Sequence, residues 1–220
     1  MKCLFLTFSS LQNKGGLFYS THQRISHSIP YLSDFKIINI QIYDNWLTIL
    51  LKYLIGKTPK KKGSNSFCFE GLNYENIWIK RGVFSALSVY PLVDKYRFNI
   101  FFYNELYISK SITTRIISTL NFDYISAHWG YPNGSIAMNI SKITKKPYFV
   151  TYHGSDINTI PNRNRIQKKI MINVLNNACM NFMVSKALIT ESTKFIKNAN
   201  TMVSYNGINK IQIKPKFKKS

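Results

Sequence analysis

One pattern constrains this chain more than any other. Short apolar runs end in a polar or glycine-bearing loop and pass directly into amphipathic segments, over and over. Cys3–Phe8 is the first such run, closed by Ser9-Ser10, with Gly15-Gly16 ahead of a helical stretch from Leu17 to about Ile29 that Pro30 ends. Phe35–Tyr43 follows as a second strand, completing one βαβ unit. The rhythm returns with strands at Asp123–His128, Pro147–Tyr152, Asn181–Val184 and Thr201–Tyr205. Helical patterns at Asn133–Lys145, Arg163–Ala178 and Lys186–Ile196 separate them. Alternation of this kind predicts an α/β fold, a parallel sheet with helices on both faces.

Between the two rhythmic stretches the reading is less regular. Asp44 opens a short apolar helix carrying Trp46, Leu47, Leu50, Leu51, Leu54 and Ile55, with Lys57, Lys60, Lys61 and Lys62 directly behind it. Either that helix packs on the sheet beside a solvated lysine loop, or it lies in the interface of an anionic membrane. Ser66–Glu70 and Tyr74–Lys80 read as a small hairpin insert turning at Gly71-Leu72-Asn73, and 83–121 as two helices. The tail after Gly207 holds five lysines and no acid, so we divide the chain into a domain over 1–208 and a basic tail over 209–220.

Composition narrows the function classes. A formal charge of +21, from 30 Lys and Arg against 9 Asp and Glu, favours anionic partners such as lipid headgroups, phosphorylated glycans or nucleic acid. No nucleic-acid module is recognisable, so nucleic acid is not expected as a partner. Cys3, Cys68 and Cys179 have no ligand spacing, which points to a reduced compartment and no metal site. The apolar start is too short for a signal peptide, and Trp46–Ile55 falls well below the roughly 20 residues of a spanning helix. A cytoplasmic protein is expected, at most peripheral on the inner face of the plasma membrane. G-x-S-x-G, Walker and H-E-x-x-H motifs are all missing.

Ligands of open parallel sheets gather at the carboxyl ends of the strands, and the informative residues fall at that edge. Gly15 and Gly16 offer either an anion site at a helix start or a tight turn needing positive φ. His128 is either a cleft residue or a satisfied core histidine. His153 precedes Gly154, with Asp156 close behind; an imidazole titrating near neutrality beside a carboxylate can bond sugar hydroxyls or assist proton transfer. The alternative for Asp156 is a capping role in a polar turn.

These residues resemble family 4 glycosyltransferases of the GT-B fold. Phe122–Ala137, with Asp123, Ile125, His128, Pro132, Gly134 and Ala137, resembles their D-x-I-x-x-H … P-x-G-x-x-A segment. Lys146–Asp156 is similar to P-x-x-x-T-x-H-G-x-D, Val184-Ser185 to the V-S at the next strand end, and Val203–Asn209 to x-N-G-I-D. Gly15-Gly16 fits the loop after the first strand. The resemblance implies a Rossmann-like, amino-terminal, acceptor-side domain of an enzyme making a retaining transfer from a nucleotide-sugar to a glycan or lipid-linked acceptor. Polysaccharide or lipopolysaccharide synthesis is the expected setting, with no cofactor and no metal. It implies that Gly15 and Gly16 approach the donor diphosphate and that His153 and Asp156 act at the reacting centre. His128, Pro132, Gly134, Gly154, Ser185, Asn206 and Gly207 would line the cleft. The family's E-x7-E donor domain has no counterpart here, position 209 is Asn rather than Asp, and Gly16 is followed by Leu17-Phe18 where an acid is common. The resemblance thus predicts a truncated transferase completed by a separate donor half, or a non-catalytic remnant binding a glycan or a membrane.

Overall fold

The computed structural model describes residues 1–8, 15–80, 112–118, 121–163, 165–197 and 199–207. The tail over 209–220 and most of the two helices expected over 83–121 lie outside the described residues.

Eight strands form one sheet in the order β3-β4-β2-β1-β5-β6-β7-β8. In chain order they are β1 (Lys2–Thr7), β2 (Asp34–Tyr43), β3 (Ser66–Phe69), β4 (Leu72–Lys80), β5 (Tyr124–His128), β6 (Tyr148–Tyr152), β7 (Met180–Met183) and β8 (Thr201–Val203). Every pairing is parallel except β3 with β4. The expected hairpin forms, but it is built into the sheet: β4 pairs in parallel with β2 along seven residues, and β3 caps that edge. The strand β4 buries Tyr74 on one face of the sheet and Ile77 on the other, which a place beside β2 allows.

The helices are α1 (Gly16–Ser28), α2 (Trp46–Leu54), α3 (112–117), α4 (Ser135–Thr144), α5 (Ser155–Asn158), α6 (Ile160–Arg163), α7 (Arg165–Asn177) and α8 (Lys186–Ser192). The sequence offered nothing at α5 and α6, each a single turn. The larger core packs Leu4, Leu6, Ile38, Ile40, Ile125, Ala127 and Val150 against α3, α4 and α7. On the other face Cys3, Phe5, Ile37 and Tyr74 pack against Ile25 of α1. Helices therefore cover both faces, as the alternation predicted. Among the described residues no helix is long and apolar enough to cross a membrane.

The α1 face changes character towards the carboxyl ends of the strands. Phe5, Ile37 and Tyr74 sit in register on β1, β2 and β4. Two residues further along each strand, the same face carries Thr7, Asn39 and Asn76, again in register. His128 follows Ala127, which pairs with Leu6, and it pairs with Thr151 of β6. A polar row, Asn76–Asn39–Thr7–His128–Thr151, thus crosses five adjacent strands. Buried polar groups are costly unless bonded, and part of the row is bonded laterally. Thr7 Oγ1 donates to Asn39 Oδ1 at 3.2 Å, and Asn39 Nδ2 to Asn76 Oδ1 at 2.8 Å.

Candidate functional site at the carboxyl edge of the sheet

Two imidazoles mark the centre of this edge. His128 ends β5 and is buried; His153 leaves β6 two residues beyond Thr151, on the same face. Their rings stack with centroids 5.7 Å apart and planes 30° apart. Among the described residues, His128 Nδ1 and both ring nitrogens of His153 are buried with no partner. His22 shows what a satisfied core histidine looks like in this fold. Its Nδ1 meets the Tyr74 hydroxyl at 2.8 Å and its Nε2 meets Glu70 at 2.9 Å. Buried polar atoms are almost always paired, so unpaired nitrogens at a cleft edge point to a ligand.

The loop carrying His153 is held from beneath by Asp156. Its carboxylate accepts from the backbone N–H groups of Gly154 at 2.9 Å, His153 at 3.1 Å and Gly130 at 3.2 Å. The side chain is wholly buried. Burial pushes its carboxyl up to about 6, against the opposing pull of those N–H donors. Asp156 clamps two loops together: the one after β5 and the one after β6. Gly154 adopts φ +124°, a backbone conformation reserved for glycine, and nothing lies within 4 Å of where its Cβ would stand. Gly130 is required for the opposite reason, since a Cβ there would stand 2.4 Å from the Tyr152 ring and 2.5 Å from the Met171 methyl.

Burial, then the charge of Arg24, pulls the His153 imidazole down to about 4. His128 lies well below the usual histidine range because of burial, then His153, then Arg24. The expected ring titrating near neutrality is not what the fold builds: both rings are neutral at pH 7. Each can donate or accept a hydrogen bond, but neither carries charge.

Arg24 is the residue that sequence reasoning missed. It sits two turns into α1 and reaches across to the strand end after β8. Its guanidinium donates to Ser204 Oγ at 2.8 Å, to the Ser204 carbonyl, and to Asn206 Oδ1 at 3.1 Å. An arginine amid an otherwise unremarkable helix has no local signal. Only the register of α1 over the β-sheet brings it beside the two histidines.

The remaining predicted residues divide by job. Asn133 is buried and its amide holds the His128 carbonyl at 2.7 Å. Gly134 is buried, with Val174 2.8 Å from where a Cβ would be, so its role is packing. The Pro132 carbonyl takes the Ser135 hydroxyl at 2.6 Å. Trp129, next to His128, adopts φ 82°, strained for a bulky side chain. Ser185 caps α8, its oxygen accepting the Leu188 N–H. Gly207 is exposed. Gly15 and Gly16 begin α1, and neither has positive φ, so the tight-turn explanation fails. Among the described residues nothing lies within 4 Å of a Cβ at either. Among the described residues no three His, Cys, Asp or Glu side chains cluster as metal ligands.

No protein-family model matches the chain. Over 72 residues, a third of this chain and 18% of the relative, it is 33% identical to a Bacillus subtilis (strain 168) protein. That relative carries the name of a teichuronic acid biosynthesis glycosyltransferase, TuaC. The fold matches the Escherichia coli trehalose-6-phosphate structure bound with UDP-2-fluoro glucose, with a TM-score of 0.54 and 9% identity over 95% of this chain and 49% of that one. It also matches the UDP-forming α,α-trehalose-phosphate synthase of Burkholderia xenovorans in complex with glucose-6-phosphate, at TM-score 0.53 and 10% identity, covering 90% of this chain and 43% of that one. The chain spans about half the length of these structures. Its α/β, Rossmann-like sheet is thus the fold of one half of a GT-B glycosyltransferase, and its sequence kinship, over a third of its length, is to a glycosyltransferase.

Proposed function

We propose that this chain forms the acceptor-side wall of a family 4 glycosyltransferase that moves a sugar, with retention, from a nucleotide-sugar to a glycan or lipid-linked acceptor of a surface polysaccharide. The observation that supports the reading is the stacked His128–His153 pair, with three buried ring nitrogens that lack a partner among the described residues. Neutral imidazoles on an Asp156-clamped loop suit hydrogen bonding to sugar hydroxyls, which need orientation rather than charge. Asp156 acts here as a positioning residue. The start of α1 at Gly15-Gly16 faces the donor diphosphate, whose departing charge is met by helix N–H groups and basic side chains without a metal.

The donor half of the site belongs to a second GT-B domain, and the test includes it. In the chain joined to that domain, His153→Ala lowers release of UDP from a panel of UDP-sugars at least about 100-fold, while the thermal midpoint stays within a few degrees. Unchanged release removes His153 from the site. Saccharide binding with no release from any UDP-sugar favours the non-catalytic binding module instead.

A second reading concerns location. The helix α2 does not pack its apolar side on the sheet: Thr48 is its one buried residue, while Trp46 is 66% exposed and Leu54 69%. Leu50 and Tyr53 are exposed on the same helix, and Lys57, Lys61 and Lys62 stand exposed just after it. We propose that this surface lies on anionic bilayers at the inner face of the plasma membrane, apolar side chains in the interface and lysines on the headgroups. Flotation with liposomes of zwitterionic lipid, with and without phosphatidylglycerol, tests it. Binding that ignores lipid charge overturns it.

A further inference from the structure

On the same face of the sheet as the histidine pair, two strands away, lies a cavity of about 860 Å³ that no motif announced. Such a volume is ordinary for a small-molecule site and generous for one sugar unit with substituents. Its floor is the far end of the polar row. Asn39 and Gln41 of β2 stand in register with Asn76 and Trp78 of β4. Asn39 and Gln41 are buried, where strands ordinarily place aliphatic side chains.

The amides are pre-set by their neighbours. Asn76 Nδ2 and Trp78 Nε1 both donate to the Ser64 carbonyl, at 3.0 and 2.7 Å, and Lys60 Nζ donates to Gln41 Oε1 at 3.1 Å. Asp44 fastens the wall above: its carboxylate accepts the Lys60 N–H at 2.6 Å and the Lys52 ammonium at 2.5 Å. That wall brings Lys57, Lys60, Lys61 and Lys62 to the rim, and among the described residues no carboxylate lines the cavity. Tyr53, Phe67 and Trp78 supply aromatic surface among the amides.

Amides that bond hydroxyls, aromatic faces that stack on a sugar ring, and a one-sided lysine rim describe a single ligand chemistry. We infer that this cavity binds an anionic saccharide, a sugar bearing a phosphate or a uronate, with its ring against Trp78 and Tyr53 and its charge among the lysines. The inference rests on the transferase reading for its role: this is where the acceptor sits. Asn76, Asn39, Thr7 and His128 occupy consecutive strands of one row, so the near end of the cavity floor, at Asn39, lies two strands or about 10 Å from His128 at the usual strand spacing. That separation places one saccharide residue in the cavity and the next at His153.

Binding is read on this chain without any donor, so the site is tested apart from the transfer. Isothermal titration with glucose 6-phosphate and with glucuronate is expected to show saturable binding, at least tenfold tighter than glucose or inorganic phosphate. Lys57→Gln, Lys61→Gln and Lys62→Gln together weaken the anionic sugars at least tenfold and leave glucose unaffected. These lysines are exposed, so the fold is retained. Tyr53→Ala, also at an exposed residue, weakens all the sugars and leaves phosphate unchanged. Equal binding of glucose 6-phosphate and phosphate overturns the saccharide assignment, and so does binding that is indifferent to the triple substitution. Failed sugar transfer with these titrations intact refutes the transferase reading alone.

Discussion

Asp156 and His153 carry opposite pH signatures, and separating them tests whether the loop is packed as described. Burial raises the Asp156 carboxyl from 3.8 to about 6. The folded protein then holds a proton that the unfolded chain has released, so stability falls as pH rises between about 4 and 6. About two pH units at about 1.4 kcal/mol each amount to a loss of about 3 kcal/mol. His153 runs the other way. Its imidazole falls from 6.5 to about 4 through burial and then Arg24. The unfolded ring is protonated where the folded one is not, so stability rises with pH over that window, again by about 3 kcal/mol. His128, lowered for the same leading reason, adds to the rise. In the wild type the falling and rising contributions of Asp156 and His153 nearly cancel. Asp156→Asn deletes only the falling one, so from pH 4 to 6.5 the variant gains about 3 kcal/mol more than wild type. The constant penalty of an amide N–H facing Gly130 or Gly154 drops out of that difference. His153→Gln deletes the rise of its own ring and tilts the profile downwards by a similar amount. Urea unfolding at half-unit pH steps, followed by tryptophan fluorescence, measures all three proteins. Parallel wild-type and Asp156→Asn profiles would refute the buried, proton-holding carboxylate on which the loop is argued to hang.

Two structural predictions follow from crowding and from exposure. Gly130→Ala forces a methyl to within 2.4 Å of the Tyr152 ring, whose hydroxyl is tied to Asn181 at 3.0 Å; a loss of about 1–3 kcal/mol is expected, read as a lowered thermal midpoint. An unchanged midpoint would mean that Tyr152 does not pack there. Trp46→Ser with Leu50→Ser removes exposed apolar area alone, so flotation on anionic liposomes drops at least tenfold while the melting curve stays in place.

The parts of this fold legible in the sequence are those where local pattern and burial agree. β1, β5 and β6 read as apolar runs because both their faces are covered, and α7 shows helical spacing because one side of it meets the core. The hairpin at 66–80 was also legible as a pair of strands. Its parallel partnership with β2 was not, because the choice of neighbour across a sheet leaves no mark on either strand. The helix α2 misleads in the opposite sense: its spacing is that of a core helix, yet Trp46, Leu50 and Leu54 face outwards. Periodicity records that a helix has an apolar side without recording what covers it.

The site divides along the same line. His128, His153 and Asp156 are visible because they lie in short loops directly after strands, where sequence distance and spatial distance coincide. Arg24 and the cavity amides are invisible because only the sheet assembles them. Asn39, Asn76 and His128 are far apart in the chain and share a row through β1, whose own contribution, Thr7, looks like any strand-ending threonine. Asp156 shows why residue type alone misassigns roles. A carboxylate two residues beyond a histidine-glycine pair looks like the partner of the imidazole. In the fold it turns away from the ring and takes the N–H groups of His153, Gly154 and Gly130. On the proposed transferase reading its effect on chemistry passes through geometry: loosening that clamp moves His153 relative to His128, and the loss is one of orientation rather than of proton transfer. An Asp156→Asn enzyme should accordingly keep the shape of its pH–rate profile while losing rate across all of it, whereas a carboxylate that passes protons would take one limb of the profile with it.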